Sequence, residues 1–267
     1  MAQPNGSLWS NVEALHRLAQ TERKFANGPQ ALRASSGRPP DAFPPFRHRP
    51  EFGVHAVEAP MTLASGDFCD TFLIDPETLA IVVADVSGKG VAAAMVRGVA
   101  RSVIRNISPD CASPGEMLTR LDRILTEAEL GSMFLTLFVA WYDTRTGVLR
   151  YANAGHPVPF RITSRREVVP FGEVTGSILG ILAREPYWDG EERLGVGERL
   201  VLYTDGVTEA ANADEDAFGT LRLVNLLTEH AGEAIDDLCR SVVERVRRFE
   251  GEAKQDDVSL VVLERRL

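Results

Sequence analysis

TLAIVVADVSGKGVAAAM, residues 78–95, is the stretch on which the fold turns. The run Leu79–Ala84 is apolar without a break, which predicts a strand buried on both faces. Asp85 ends the run, and Val86–Ser87–Gly88–Lys89–Gly90 turns the chain. From Val91, VAAAMVRGVARSVIRNI is rich in Ala, Val and Ile with few charges, and predicts a buried helix. Upstream, DFCDTFLID is joined to this strand through Asp75–Pro76–Glu77, the chemistry of a tight hairpin turn. FGVHAVEAP, from Phe52, alternates loosely as a further strand.

Downstream, Ser113, Pro114 and Glu116 supply an N-cap, a first-turn proline and a capping box, so a second helix is predicted from there to about Leu130. Met117, Leu118, Leu121 and Leu125 mark its apolar side. SMFLTLFVAWYD, the turn at Thr144–Arg145–Thr146–Gly147 and VLRYANAG predict a second hairpin. Strands are expected over Val158–Ile162, Arg199–Tyr203 and Val258–Glu264, with helices over Thr220–Glu229 and Glu233–Phe249. The strands cluster in hairpins instead of alternating singly with helices. That order argues against a parallel sheet and for two sheets packed face to face with helices outside, in the α+β class.

Residues 1–50 read differently. Leu8, Val12, Leu15 and Ala19 recur at helical spacing, and Pro39, Pro40, Pro44, Pro45 and Pro50 follow in a stretch that can neither continue a helix nor pair as a central strand. So short a helix is marginal alone, and it is expected to dock or to pair with a second copy. The main domain is placed at residues 51–267.

Composition excludes more than it selects. The net charge of −9 with no dense basic block argues against phosphate-backbone binding, so no nucleic-acid partner is expected. No apolar run is long enough to span a bilayer, and the N-terminus lacks a signal-peptide layout. The three cysteines, Cys69, Cys111 and Cys239, form no CxxC pair and are read as reduced thiols of a cytoplasmic protein.

Four aspartates share one kind of place. Asp67 opens a strand, Asp85 and Asp205 close strands, and Asp256, with Asp257 beside it, precedes the last strand. Each alone suits an ordinary turn. Together they describe carboxylates held at the ends of rigid strands, the placement a preorganised site needs. With no His or Cys cluster beside them, the donors are all oxygen, which suits Mg²⁺ or Mn²⁺ better than Zn²⁺.

SGDFCD, ADVSGKGVAAAM, FLTLFVAWYDTRTGVLRYANAGHP, LVLYTDGVTEA and DDVSLVVL resemble, in that order, the motifs of the SpoIIE/RsbU-like bacterial branch of the PPM phosphatases. The resemblance spans about Phe52 to Leu263 and implies an αββα sandwich with two divalent metal ions. It also implies hydrolysis of phosphoserine or phosphothreonine by metal-activated water. By position it implies that Asp85 bridges both metals with the Val86 carbonyl beside it. Asp205 and Asp256 then hold the second metal, Asp67 lies near the first, and Asp257 supports. The substrate it implies is a phosphorylated anti-sigma-factor antagonist of the STAS type. The rivals are a catalytically silent scaffold for such a partner and a phosphatase of small metabolites. The N-terminal segment is expected to dock beside the two helices after Asp85, within a homodimer or through a partner, and to affect how that aspartate is held.

The remaining candidates weigh less. Lys89 in SGKG lacks the P-loop spacing. Ser87 has no His/Asp partners at readable spacing, and Cys69 lies beside acidic groups that disfavour a thiolate. His156 in NAGHP is either a general acid or a packing residue, and the resemblance favours packing. Asp70 is out of phase with Asp67 along its strand and is expected to point elsewhere. Residues 163–189, with Arg165, Arg166, Gly176 and Gly180, are either a substrate-contacting flap or a surface connection.

Overall fold

The computed structural model describes residues 49–61, 65–128, 130, 132–181, 185–251 and 256–267. Residues 1–48, with the expected N-terminal helix and proline stretch, lie outside them. Ten strands and four α-helices are described. The strands are β1 (Phe52–Ala59), β2 (Phe68–Leu73), β3 (Thr78–Val86), β4 (Leu135–Asp143), β5 (Val148–Ala154), β6 (Phe160–Ile162), β7 (Val168–Pro170), β8 (Gly190–Arg193), β9 (Arg199–Tyr203) and β10 (Val258–Arg265). The helices are α1 (Val91–Ile107), α2 (Pro114–Glu127), α3 (Gly219–Glu229) and α4 (Ile235–Glu250). One sheet runs β1-β10-β9-β6-β7 and the other β2-β3-β4-β5-β8, and these strands pair with one another antiparallel throughout.

The period of two along each strand builds three apolar layers. Leu79, Ile81 and Val83 of β3 pack with Phe138, Ala140 and Tyr142 of β4 against Leu200, Leu202, Val261 and Leu263 of the facing sheet. The alternate residues Ala80, Val82, Ala84 and Val86 face outward and are covered by α1 and α2. On the far side α3 and α4 cover Val201, Tyr203, Leu260 and Val262. The result is the expected αββα sandwich. It explains why residues 79–84 carry no polar side chain: both faces of β3 are dry, and each fully buried Leu or Ile contributes roughly 1.5–3 kcal/mol.

Local chemistry behaves largely as read. Asp75 Oδ1 accepts the N–H groups of Glu77 and Thr78 in the first hairpin turn. Ser113 caps α2 by accepting the Glu116 N–H, while the Glu116 carboxylate reaches back to the Ala112 N–H, one residue beyond the usual capping-box partner. β4 begins at Leu135 instead of Ser132 because Phe134 is engaged off the ladder. Its carbonyl accepts the Ser87 N–H and its own N–H donates to Ser87 Oγ. Ser87 thus pins the turn after Asp85 to the start of β4.

Within the stretch 163–189, the described residues 163–181 and 185–189 are tied at several points. Asp122 accepts the Gly180 N–H at 2.7 Å, Thr119 Oγ1 accepts the Tyr187 N–H, and Asp189 accepts the Gly115 N–H. Leu179 also exchanges backbone hydrogen bonds with Leu135. The segment therefore connects α2 to the start of β4.

Candidate active site

β2 starts, β3 ends, β9 ends and β10 starts at the same end of the sandwich. Strand parity then decides which side chains face the gap between sheets. On β2, Cys69 belongs to the inter-sheet layer while Phe68 and Phe72 face α1. Asp67, in phase with Cys69, turns towards Asp85 and Thr204, and both its carboxyl neighbours and its burial follow from that. Asp70, out of phase, is buried against α1 and held by Arg101 at 3.2 Å and by Arg105. That separation of the two aspartates is what their odd spacing predicted.

Asp85 is in phase with Leu79, Ile81 and Val83, so it too faces the inter-sheet gap, where the apolar layer gives way to polar groups. The Asp67 and Asp85 carboxyls hydrogen-bond to each other. Burial, then the Asp85 charge, raises the Asp67 carboxyl far above the usual carboxylate range, so the pair holds on to a shared proton. Burial, then the charges of Asp256, Asp257 and Glu209, raises Asp85. Asp205 follows β9 in a short 3₁₀ turn, Asp205–Val207, and is pushed up to about 6 by burial and then by Asp85, Glu209 and Asp256. Burial and like charges act in the same direction here, each disfavouring the ionised form of its neighbours.

All the sequence-derived carboxylates come together in this mutual field, with Asp256 and Asp257 at its rim. Asp256 Oδ1 accepts the Asp257 N–H and lies 3.6 Å from Lys89 Nζ. Asp257 Oδ1 accepts the Met61 N–H at 2.7 Å. The backbone is packed to match. A Cβ on Gly66 would lie 2.6 Å from the Val86 carbonyl oxygen, and one on Gly206 would lie 1.9 Å from the Asp257 carbonyl oxygen. Gly206→Ala should therefore force the start of β10 away from β9. An expected cost of about 2–4 kcal/mol by chemical denaturation, with loss of activity before loss of fold, would match this contact; wild-type stability would contradict it.

Three contributors were not singled out from the sequence. Glu209 lies four residues beyond Asp205, and the turn folds its N–H back to the Asp205 carbonyl at 2.7 Å. The Thr204 hydroxyl bonds Asp67 and accepts the Ser259 N–H. Arg247 of α4 donates to the carbonyls of Asp256 and Ala59, fastening the two strand ends beside the site. Glu209 and Thr204 sit inside LVLYTDGVTEA, where their spacing to Asp205 was the available signal. Arg247 had none.

The donor set is chemically suited to hard divalent cations: oxygen only, crowded with negative charge, and with Asp67 Oδ2 buried without a hydrogen-bond partner. It is an open set. Among the described residues no three acidic or imidazole side chains close on a common point. Ser87 and Cys69 are not nucleophiles in waiting. Ser87 serves the turn, and burial and then the nearby Glu58 and Asp67 raise the Cys69 thiol. Among the described residues no helix is long and apolar enough to cross a membrane.

Comparison with known proteins adds a second line. A family model described as Stage II sporulation protein E (SpoIIE) matches residues 75–266. Protein IcfG of Synechocystis is 30% identical over 243 residues, covering 80% of this chain and 38% of that protein. Phosphoserine phosphatase RsbU of Bacillus subtilis is 28% identical over 214 residues, covering 80% of this chain and 63% of that protein. The chain thus spans less than two thirds of the length of these curated relatives. Among solved structures, the RsbU and RsbW domains of a Mycobacterium tuberculosis protein align with a TM-score of 0.71 at 28% identity, over 80% of this chain and 60% of that one.

Proposed function

The chain belongs to the SpoIIE family, and on that footing we propose that it is a metal-dependent protein serine/threonine phosphatase. The observation that carries the reading is the cluster of strand-end carboxylates that raise one another's pKa at one end of the inter-sheet layer. The similarity to a relative named as a phosphoserine phosphatase supports the same reaction.

Asp85 and the Val86 carbonyl would be the central ligands of the divalent ions, Asp205 and Asp256 would help to hold them, and Asp67 and Asp257 would support the set. Bound there, Mn²⁺ or Mg²⁺ would neutralise phosphate charge and lower the pKa of an attacking water. The protein's own part is to keep the carboxylates fixed on strands and to give up the proton between Asp67 and Asp85. The substrate we assign is a phosphoserine or phosphothreonine on a small STAS-type anti-sigma-factor antagonist, with the N-terminal 50 residues as a regulatory or dimerising segment.

Hydrolysis of p-nitrophenyl phosphate and of a phosphoserine peptide, with Mn²⁺, Mg²⁺ or EDTA, tests this directly. Turnover that needs the metal and stops with EDTA is expected. A folded protein that binds Mn²⁺ in calorimetry yet cleaves neither substrate would favour the scaffold reading, and one that binds no metal would sink the proposal.

A further inference from the structure

His156 lies in the loop after β5, buried, and its main chain is fixed on both sides by one side chain. Asn153 Oδ1 accepts the His156 N–H at 2.8 Å and Asn153 Nδ2 donates to the His156 carbonyl at 3.0 Å. The imidazole is thereby aimed into the inter-sheet layer. Nδ1 is 2.9 Å from Thr136 Oγ1. The Tyr203 backbone lies beside the ring, and Nε2 is a buried polar atom without a hydrogen-bond partner. Such a group is costly to keep and calls for an explanation.

Its two neighbours supply one. Thr136 is the register partner of Asp85 in the β3–β4 ladder. In an antiparallel sheet opposed residues project from the same face, so the Thr136 hydroxyl stands beside Asp85. Tyr203 ends β9, two residues before Asp205. The ring thus reaches from the strand that flanks Asp85 in one sheet to the strand that delivers Asp205 in the other. Burial holds the imidazole well below its ordinary pKa, at about 3, so it stays uncharged and adds no cation to the acidic cluster. A proton donor working at neutral pH would need the opposite shift.

We propose that His156 is a positioning residue: bonded to Thr136 and set against the Tyr203 backbone, it fixes the spacing of the two sheets where Asp85 and Asp205 leave them. This rests on the reading of those aspartates as metal ligands. Groups behind the ligands tune metal affinity by aiming them, typically by about 10–100-fold when removed.

The test compares His156→Gln, Thr136→Val and Thr136→Ser with the wild type. Mn²⁺ affinity is read by calorimetry, the pH–rate profile with p-nitrophenyl phosphate, and folding by circular dichroism. Weaker Mn²⁺ binding by about tenfold is expected in His156→Gln and Thr136→Val. Thr136→Ser, which keeps the hydroxyl, should restore it, and kcat at saturating Mn²⁺ should fall less than the affinity does, with the pH limbs unmoved. Should His156→Gln fail to fold, the two Thr136 variants carry the comparison, because they alter only the far end of the same contact. Folded variants that bind Mn²⁺ as the wild type does would overturn the proposal. So would a lost pH limb in His156→Gln at unchanged affinity, which would make His156 a proton donor. A wild type that binds no divalent ion would instead overturn the reading of the site, and this positioning role with it.

Discussion

Asp85→Asn is expected to lower metal-dependent phosphatase turnover by about a thousandfold or more while leaving the protein folded. The size of the effect comes from position. Asp85 hydrogen-bonds Asp67, feels the charges of Asp256, Asp257 and Glu209, and itself raises Asp205, so it interacts with each of the other carboxylates named in the cluster. It also sits at the end of a strand whose residues 79–84 are fully buried, so nothing nearby can move in to replace it. If Asp85 is the central metal ligand, as proposed, removing its charge would take away both phosphate neutralisation and water activation, each worth orders of magnitude. Asn keeps the volume and cannot ionise, so the metal-free fold loses a mutual repulsion and should melt no lower than the wild type. Turnover measured at saturating Mn²⁺ decides the matter: an Asn variant within tenfold of wild type would remove Asp85 from the centre of the site.

What could be read from the sequence is what depends on short-range pattern. The unbroken run at Leu79–Ala84, the Asp75–Pro76–Glu77 turn and the Ser113 cap each carry their own physics, and each forms where expected. Parity went further. It separated Asp67, which faces the inter-sheet gap, from Asp70, which faces the arginines of α1, although the two are three residues apart. Strands β7 and β8 were missed because VVP and GEER are too short to show a period. Each is defined by one neighbour, β6 for the first and β5 for the second. Arg247 was missed for a similar reason. It is a basic residue in the last turn of α4, and only the tertiary fold brings that turn beside Ala59 and Asp256. Glu209 lies between these cases, since its spacing to Asp205 suggests a turn of helix but not which way the carboxylate faces.

The cluster should also make metal-free stability run opposite to metal affinity as pH changes. A carboxyl raised by the fold, such as Asp205 at about 6 against 3.8 in the absence of the fold, binds more protons folded than unfolded between those values. Its contribution to stability is therefore fully present below about 3.8 and is lost as pH rises through about 6. At neutral pH the ionised Asp205 works against the metal-free fold. Allowing for its partial exposure, the penalty is about 1–2 kcal/mol. Asp205→Asn should then melt a few degrees above the wild type without metal at pH 7–8, with the gap closing towards pH 4. Metal binding needs the same groups ionised, so Mn²⁺ affinity should rise between pH 5 and 8 by up to about tenfold per unit for each proton expelled. Melting curves with EDTA and with saturating Mn²⁺ would show the metal-bound wild type gaining stability over the pH range in which the metal-free protein loses it. Calorimetry in two buffers of different ionisation heat would count the protons released. A melting gap between wild type and Asp205→Asn that stays constant from pH 4 to 8, or Mn²⁺ binding that releases no protons, would mean that these carboxylates are not coupled as their burial and spacing require.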